Sequence, residues 1–558
     1  MRFGRISLAS LAVLAVAALL PLAAGGCAGV SKAAEPTPRP VPGGTYNLPL
    51  EWDPASIEPA GVDNSASGLV SHQIFQGLVR WETGNDGVVR GVHCIAESWS
   101  PNEDGSVWTF RLRKGVRFQP PVGREVTAQD VVDDWTYLTD PANESPVSYI
   151  LGDVKGTDAS GYAAKGLTGV QAVDRYTVQV TLKHPFADFP LLTGNPATGI
   201  WPVDHMKKVS PEAFRTKPIG TGPYMVERWV QGKYIDLVRN PAYWDAENAG
   251  YVDRVHMPIM DMPTQWQEFR KGTLDIAWVP GDQIDAAKEA ARAKGGTWTA
   301  RAWPLLATIF VSVNQKSPRL GGDANLPRRQ ALSYAVDRDA VRAVKTDVWA
   351  PPADGMPATG IVPDGILHTD ADGLVYPYDP DKAKQIVRQI SPLPTFLHLS
   401  WGAVPQATHG LSVLDPALLS GWRAAGLDVT RKGYEWNTYV RKVSGGTEGD
   451  LSLSGWIADY PSPDDFLYLL FHSSRSGAGS IWTHYDEPEV DRLLEEARAT
   501  LDERKRLELY AQVEKTVLAD APVIPLYFCG CFCVTNNRVQ GQAVDPLLNV
   551  DAWKVWVK

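Results

Sequence analysis

The sequence predicts a mixed α/β protein, and three observations lead there. Short strand-like runs bounded by turn residues are interspersed with capped amphipathic helices, without the regular alternation of a doubly wound sheet. Apolar residues make up 44% and charged residues 21% of the 558, the balance of a chain that buries a large core. Beyond residue 44 no second linker and no repeat period interrupts the chain, so a length worth about three or four domain-sized units is expected as one body.

The first residues stand apart. Arg2 and Arg5 precede an almost unbroken apolar run from Ile6 to Leu22, short for a membrane span and suited to a secretory signal. Ala23, Ala24, Gly25 and Gly26 lead to Cys27, which resembles a lipobox except that Ala24 stands where leucine is usual. Residues 1–26 are therefore expected to be a lipoprotein signal peptide, with Cys27 acylated. The plainer alternative is an ordinary cleaved signal beside a chance cysteine. Residues 27–44 follow as a proline-rich tether, reaching on the order of 50 Å at ~3.1 Å per residue. The body is expected on the extracytoplasmic face of the cell membrane, held there by its lipid.

Along the body, Val107–Leu112, Thr177–Leu182, Ile235–Val238, Ile309–Val313 and Val523–Phe528 read as strands. Thr127 and Asp130 have the spacing of a capping box ahead of Val131. Asp379-Pro380 places an N-cap before proline at the first helical position. Val490–Ala497 and Leu507–Leu518 carry apolar residues three and four apart with charges between, the pattern of helices packed on a sheet.

Several functions are disfavoured by what these residues offer. With 54 basic against 64 acidic residues and a net charge of −10, the chain lacks the basic field of a nucleic-acid binder. It contains no HExxH, no GxSxG, no P-loop and no dinucleotide fingerprint. Gly220-Thr221-Gly222-Pro223 lacks a third glycine, and Pro223 removes an N–H that a phosphate cradle needs. Ten histidines show no metal-ligand spacing, so no metal and no cofactor is expected. The adjacent acids Asp464 and Asp465 do not make a glycosidase pair. Cys529, Cys531 and Cys533 alternate along a strand and share one face, too far apart to bond to one another. Two readings stay open for them: small buried thiols filling a tight face, or a disulfide from Cys94 to one of the three.

Read together, several blocks resemble the family 5 extracellular solute-binding proteins, the dipeptide/oligopeptide-binding lipoproteins of ABC importers. Ile74–Leu78 (IFQGL), Ala96–Trp99 (AESW), Trp108–Phe118 (WTFRLRKGVRF) and Val126–Val131 (VTAQDV) come first. Gly220–Tyr224 (GTGPY), Arg239–Trp244 (RNPAYW), Lys271–Asp275 (KGTLD), Arg329–Arg338 (RQALSYAVDR) and Gly455–Pro461 (GWIADYP) follow in the family's order. Phe118–Pro121 (FQPP) departs from the family's usual loop and carries no inference.

The resemblance implies a two-lobed periplasmic-binding-protein fold (type II, large peptide-binding class) with an extra subdomain in lobe I. Lobe I would comprise 45–75, 185–305 and 525–558, the extra subdomain 76–184, and lobe II 306–524. It implies a binding protein rather than an enzyme, a monomer that closes around a peptide ligand and docks on ABC permease subunits. Carried over, Asp459 would pair with the peptide's α-ammonium, Gly455 to Ile457 would offer β-like backbone hydrogen bonds, and Trp456 would line a wall. Of the 20 tryptophans, Trp99, Trp108, Trp229 and Trp244 are expected in the core, whereas Trp401, Trp436 and Trp456 are candidates for the cleft. Flat aromatic walls suit sugar rings as well, so an oligosaccharide or glycolipid ligand, or a role in envelope assembly without transport, is the alternative.

Overall fold

Two unusually long strands organise the body. In the computed structural model, Trp298–Val313 (16 residues) and Val523–Asn536 (14 residues) run antiparallel. The structure describes residues 39–558 apart from 63, 159, 345–356, 369–372, 374, 402–410, 476–481 and 542–543. The signal segment, Cys27 and most of the tether lie outside the described residues.

The run Leu305–Val313 is buried throughout, while Trp298–Pro304 is partly exposed. Between these stretches the pairing slips. Pro304 opposes Gly530 and Thr308 opposes Phe528, so Leu305, Leu306 and Ala307 share the space of Cys529. Such an insertion bends a strand and releases local backbone groups from the ladder. Here Leu306 finds other partners: its N–H donates to the Pro546 carbonyl at 2.7 Å, and its carbonyl accepts from Ala458 N–H at 2.8 Å.

The long strands belong to a six-stranded sheet in the spatial order Ile276–Trp278, Val523–Asn536, Trp298–Val313, Leu451–Ile457, Phe396–Trp401 and Val429–Tyr434. Helices cover both its faces. On one side Leu332, Leu418 and Trp422 pack over Ile309, Val311 and Leu453. On the other, Phe310 meets Phe466, Leu494 and Val513. These last three come from the helices Pro463–Phe471, Pro488–Ala499 and Glu503–Asp520.

Earlier residues build two four-stranded sheets. One has the order Thr45–Asn47, Arg254–Pro258, Tyr234–Arg239, Tyr224–Val230; the other Ala96–Pro101, Val107–Leu112, Thr177–Thr181, Val170–Asp174. A large core joins them through Tyr46, Phe110, Trp135, Phe189 and Tyr224. Trp108 is buried in it, and Trp99, Trp229 and Trp244 pack against its edge. The helix Ala128–Thr139 starts with the predicted capping box of Thr127 and Asp130, and Asp379 caps Pro380–Val387.

Cys94, Cys529, Cys531 and Cys533 are free thiols. Their common face does not meet one core. Cys529 is buried in the core around Ile309 and Cys533 in the core around Tyr46, while Cys531 packs against both. Burial pushes the Cys94 thiol up to about 11 and that of Cys533 up to about 12, the behaviour of inert packing residues.

Candidate functional site

The strand Leu451–Ile457 reaches the site with one edge open. Its ladder to Ala307–Val313 continues through all seven residues. On the other side Phe396–Trp401 pairs only with Leu451 and Ser452. Among the described residues no strand covers that edge from Leu453 to Ile457; the Leu453 carbonyl accepts from the Tyr439 hydroxyl at 2.6 Å, and the edge beyond it suits an added strand. At Gly455 a Cβ would stand 2.6 Å from Ile309 Cδ1, so a larger residue there requires that side chain to shift.

After Ile457 the chain turns. Asp459 N–H donates to Asp465 Oδ2 at 3.1 Å, and Trp456 Nε1 donates to the same oxygen at 2.9 Å. Asp465 lies in the first turn of the helix Pro463–Phe471, which Ser462 caps by accepting from Asp464 N–H. Ser462 Oγ also donates to Asp188 at 2.6 Å, joining the turn to the earlier half of the chain.

A buried ionic network holds this helix start. Asp464 accepts from the hydroxyls of Tyr460 (2.7 Å) and Tyr510 (2.8 Å) and lies 3.2 Å from Arg498 Nε. Arg498 also pairs with Asp153 at 2.8 Å, and its guanidinium lies 3.9 Å from the ring centroids of both Phe186 and Tyr468. Buried charges need such partners, because burial removes the water that would solvate them and a neutral core does not replace it.

The Asp459 side chain faces a cavity of about 340 Å³. Ile457, Ala458 and Asp459 form one wall; Tyr149 and Asn195 belong to another, and Asn64 and Ser65 open the helix Ser65–Ile74 beside them. Tyr149 hydroxyl donates to Asp459 Oδ1 at 3.3 Å, and Asn195 Nδ2 donates to the Asp459 carbonyl at 2.9 Å. Burial raises the Asp459 carboxyl to about 7, only partly opposed by the tyrosine hydrogen bond. Asp465 is pushed well up by burial and by the Asp459 charge. A partly desolvated carboxylate facing a cavity is poised to accept a cation.

The expected site residues divide accordingly. Asp459 and Ile457 line the cavity. Gly455 and Trp456 do not line it; Gly455 lies on the open-edged strand, and the Trp456 indole is committed to Asp465. Trp436 is not brought to the cavity. It is 48% exposed and packs with Trp401 (centroids 4.9 Å apart), Tyr439 and Trp482 in a separate aromatic group. Tyr149, Asn195 and Asp465 are additions that no local motif indicates.

Comparison with known proteins agrees with this architecture. Residues 92–478 match the model for bacterial extracellular solute-binding proteins, family 5. Heme-binding protein A of Haemophilus influenzae is 28% identical over 520 residues, 90% of this chain and 89% of that protein. The periplasmic oligopeptide-binding protein OppA of Salmonella typhimurium is 28% identical over 513 residues, 89% of each. Among solved structures, the periplasmic binding protein DppA of Helicobacter pylori, in complex with the peptide STSA, superposes with a TM-score of 0.72. That match has 23% identity and covers 93% of this chain and 98% of the other. The fold is thus the two-lobed periplasmic-binding-protein class. Among the described residues no helix is long and apolar enough to cross a membrane.

Proposed function

The chain belongs to the family 5 bacterial extracellular solute-binding proteins, and from that membership we propose that it captures peptides in the Asp459 cavity and delivers them to an ABC permease. One observation carries the reading: a partly desolvated Asp459 carboxylate stands at the end of an open-edged strand, inside a cavity large enough for a small ligand. A peptide's constant features are its ammonium and its backbone. Asp459 would take the first, and Gly455 to Ile457 the second by strand addition.

Tyr149 and Asn195 reach Asp459 from the earlier half of the chain. A ligand held between those residues and Ile457–Asp459 contacts both sides only when they are together, so binding favours the closed form. Lobe I is taken as 45–75, 185–305 and 525–558 with 76–184 added, and lobe II as 306–524, the long strands passing between them. The protein acts as a monomer, anchored by a lipid on Cys27 through the 27–44 tether, and performs no chemistry on its ligand.

Calorimetry with a free tripeptide tests the site. Asp459→Ala should weaken binding by about 2–5 kcal/mol, the cost of stranding one member of a buried charge pair. Unchanged affinity would remove Asp459 from the site.

A further inference from the structure

Leu548 is held where leucine seldom goes. Its φ is +67°, in the left-handed region that a Cβ disfavours. Such a backbone persists only where its surroundings over-determine it, and here they do. The Leu548 N–H closes a turn onto the Asp545 carbonyl at 3.0 Å, and Val544 bridges to Val550 across its base. Asp545 Oδ1 accepts from the N–H groups of Leu547 (2.9 Å) and Asn549 (2.7 Å), and its Oδ2 from Asn549 Nδ2 at 3.1 Å. From outside, the slip in the long strand supplies the Leu306 N–H that donates to the Pro546 carbonyl at 2.7 Å.

The position so enforced is the boundary between two cavities. Leu548 lines both the Asp459 cavity and an apolar chamber of about 110 Å³, which Leu69, Met262, Trp278 and Leu305 also wall. Three polar residues on the chamber wall are already engaged. Gln265 Nε2 donates to the Met260 carbonyl at 2.9 Å, Trp52 Nε1 donates to Asn64 Oδ1 at 3.3 Å, and Glu51 has a partner of its own. The chamber therefore offers a ligand mostly apolar surface, which suits an aliphatic side chain. The turn itself does not call for leucine, because glycine or asparagine would adopt this backbone with less strain. What leucine adds is a side chain on the boundary.

We infer that Leu548 is the specificity-determining wall of the cleft, dividing the Asp459 cavity from a chamber that takes one aliphatic side chain of the bound peptide and limiting how large that side chain can be. The inference rests on Asp459 as the ammonium partner, which holds the peptide beside this boundary.

Calorimetry on the mature chain with Ala-Ala-Ala and its three single-leucine relatives tests the chamber. Leucine at one position should tighten binding about tenfold, and tryptophan at that position should bind about tenfold more weakly than leucine. Leu548→Ala and Leu548→Gly both remove the wall, and in both the preference for leucine over tryptophan should fall to within about threefold. The glycine variant should also unfold at a higher temperature than the alanine variant, since glycine adopts this backbone without strain; any other order would overturn the strained turn and the inference with it. An unchanged preference in both variants, or a change in one alone, would take the Leu548 side chain out of the boundary and overturn the inference. Leucine peptides that bind no tighter than Ala-Ala-Ala would do the same. If the N-acetylated leucine peptide binds as well as the free one, or no peptide binds at all, the Asp459 reading itself fails and the inference falls with it.

Discussion

Trp456 Nε1 and the Asp459 backbone N–H converge on one oxygen, Asp465 Oδ2, at 2.9 and 3.1 Å. Asp465 is fully buried, and among the described residues its other oxygen has no hydrogen-bond partner. The acid thus acts as a peg on which the Asp459 turn hangs, with the indole keeping it in place. Trp456→Phe keeps the ring and removes the donor. Peptide affinity should fall by about 1–2 kcal/mol while the unfolding transition stays cooperative. Unaltered affinity would show that Asp465 holds the turn without help from the indole.

Peptide affinity should depend on pH in a bell. Burial holds the free Asp459 carboxyl near 7, and the ammonium pairs only with its ionised form. Below about pH 6 the binding constant should drop by about tenfold per unit, and above about pH 8 it should drop again as the ligand's own α-amine loses its proton. Stability of the ligand-free protein carries the opposite imprint. A carboxyl raised above its ordinary value of 3.8 stabilises the fold below that value and loses this contribution as pH rises through about 7. Asp459→Asn should therefore raise the unfolding temperature at pH 8 relative to the parent, with no such gain at pH 4.

Arg498 is buried between Phe186 and Tyr468 and pairs with Asp153 and Asp464. Arg498→Met keeps much of the packing and leaves two acids without their cation. Denaturant unfolding should show a loss of about 3–5 kcal/mol. A loss under about 1 kcal/mol would mean that the tyrosines around Asp464 suffice to hold it.

The thiols give a further check. The native protein should react slowly with a thiol reagent at pH 8, because burial raises Cys94 to about 11 and Cys533 to about 12. After denaturation without reductant, Cys94, Cys529, Cys531 and Cys533 should all titrate. A missing pair that reappears only with reductant would establish a disulfide.

Elements with strong local signals were legible in the sequence. Val107–Leu112 is a strand with those bounds, and the Thr127/Asp130 box starts its helix, because turn residues and side-chain caps act over a few positions. The strands read at Ile309–Val313 and Val523–Phe528 were truncated versions of far longer ones. The periodicity fails where Trp298–Pro304 becomes half-exposed and where the ladder slips at Leu305, so no single pattern spans either strand. At the site, Asp459 could be read from its motif. Tyr149 and Asn195 could not, since they are 310 and 264 residues away in sequence and carry no signature of their own. Trp436, chosen by residue type, packs in another aromatic cluster, because type alone does not say which neighbours the fold supplies.

Cys529 and Cys533 anchor one strand in separate cores, with partly exposed Cys531 against both. Cys531 therefore stands where the strand passes from one core to the other. If one core turns relative to the other, the surroundings of Cys531 change with it. The alkylation rate of Cys531, followed by peptide mass with and without ligand, should change if such a turn accompanies binding, and a rate that stays constant would argue against it.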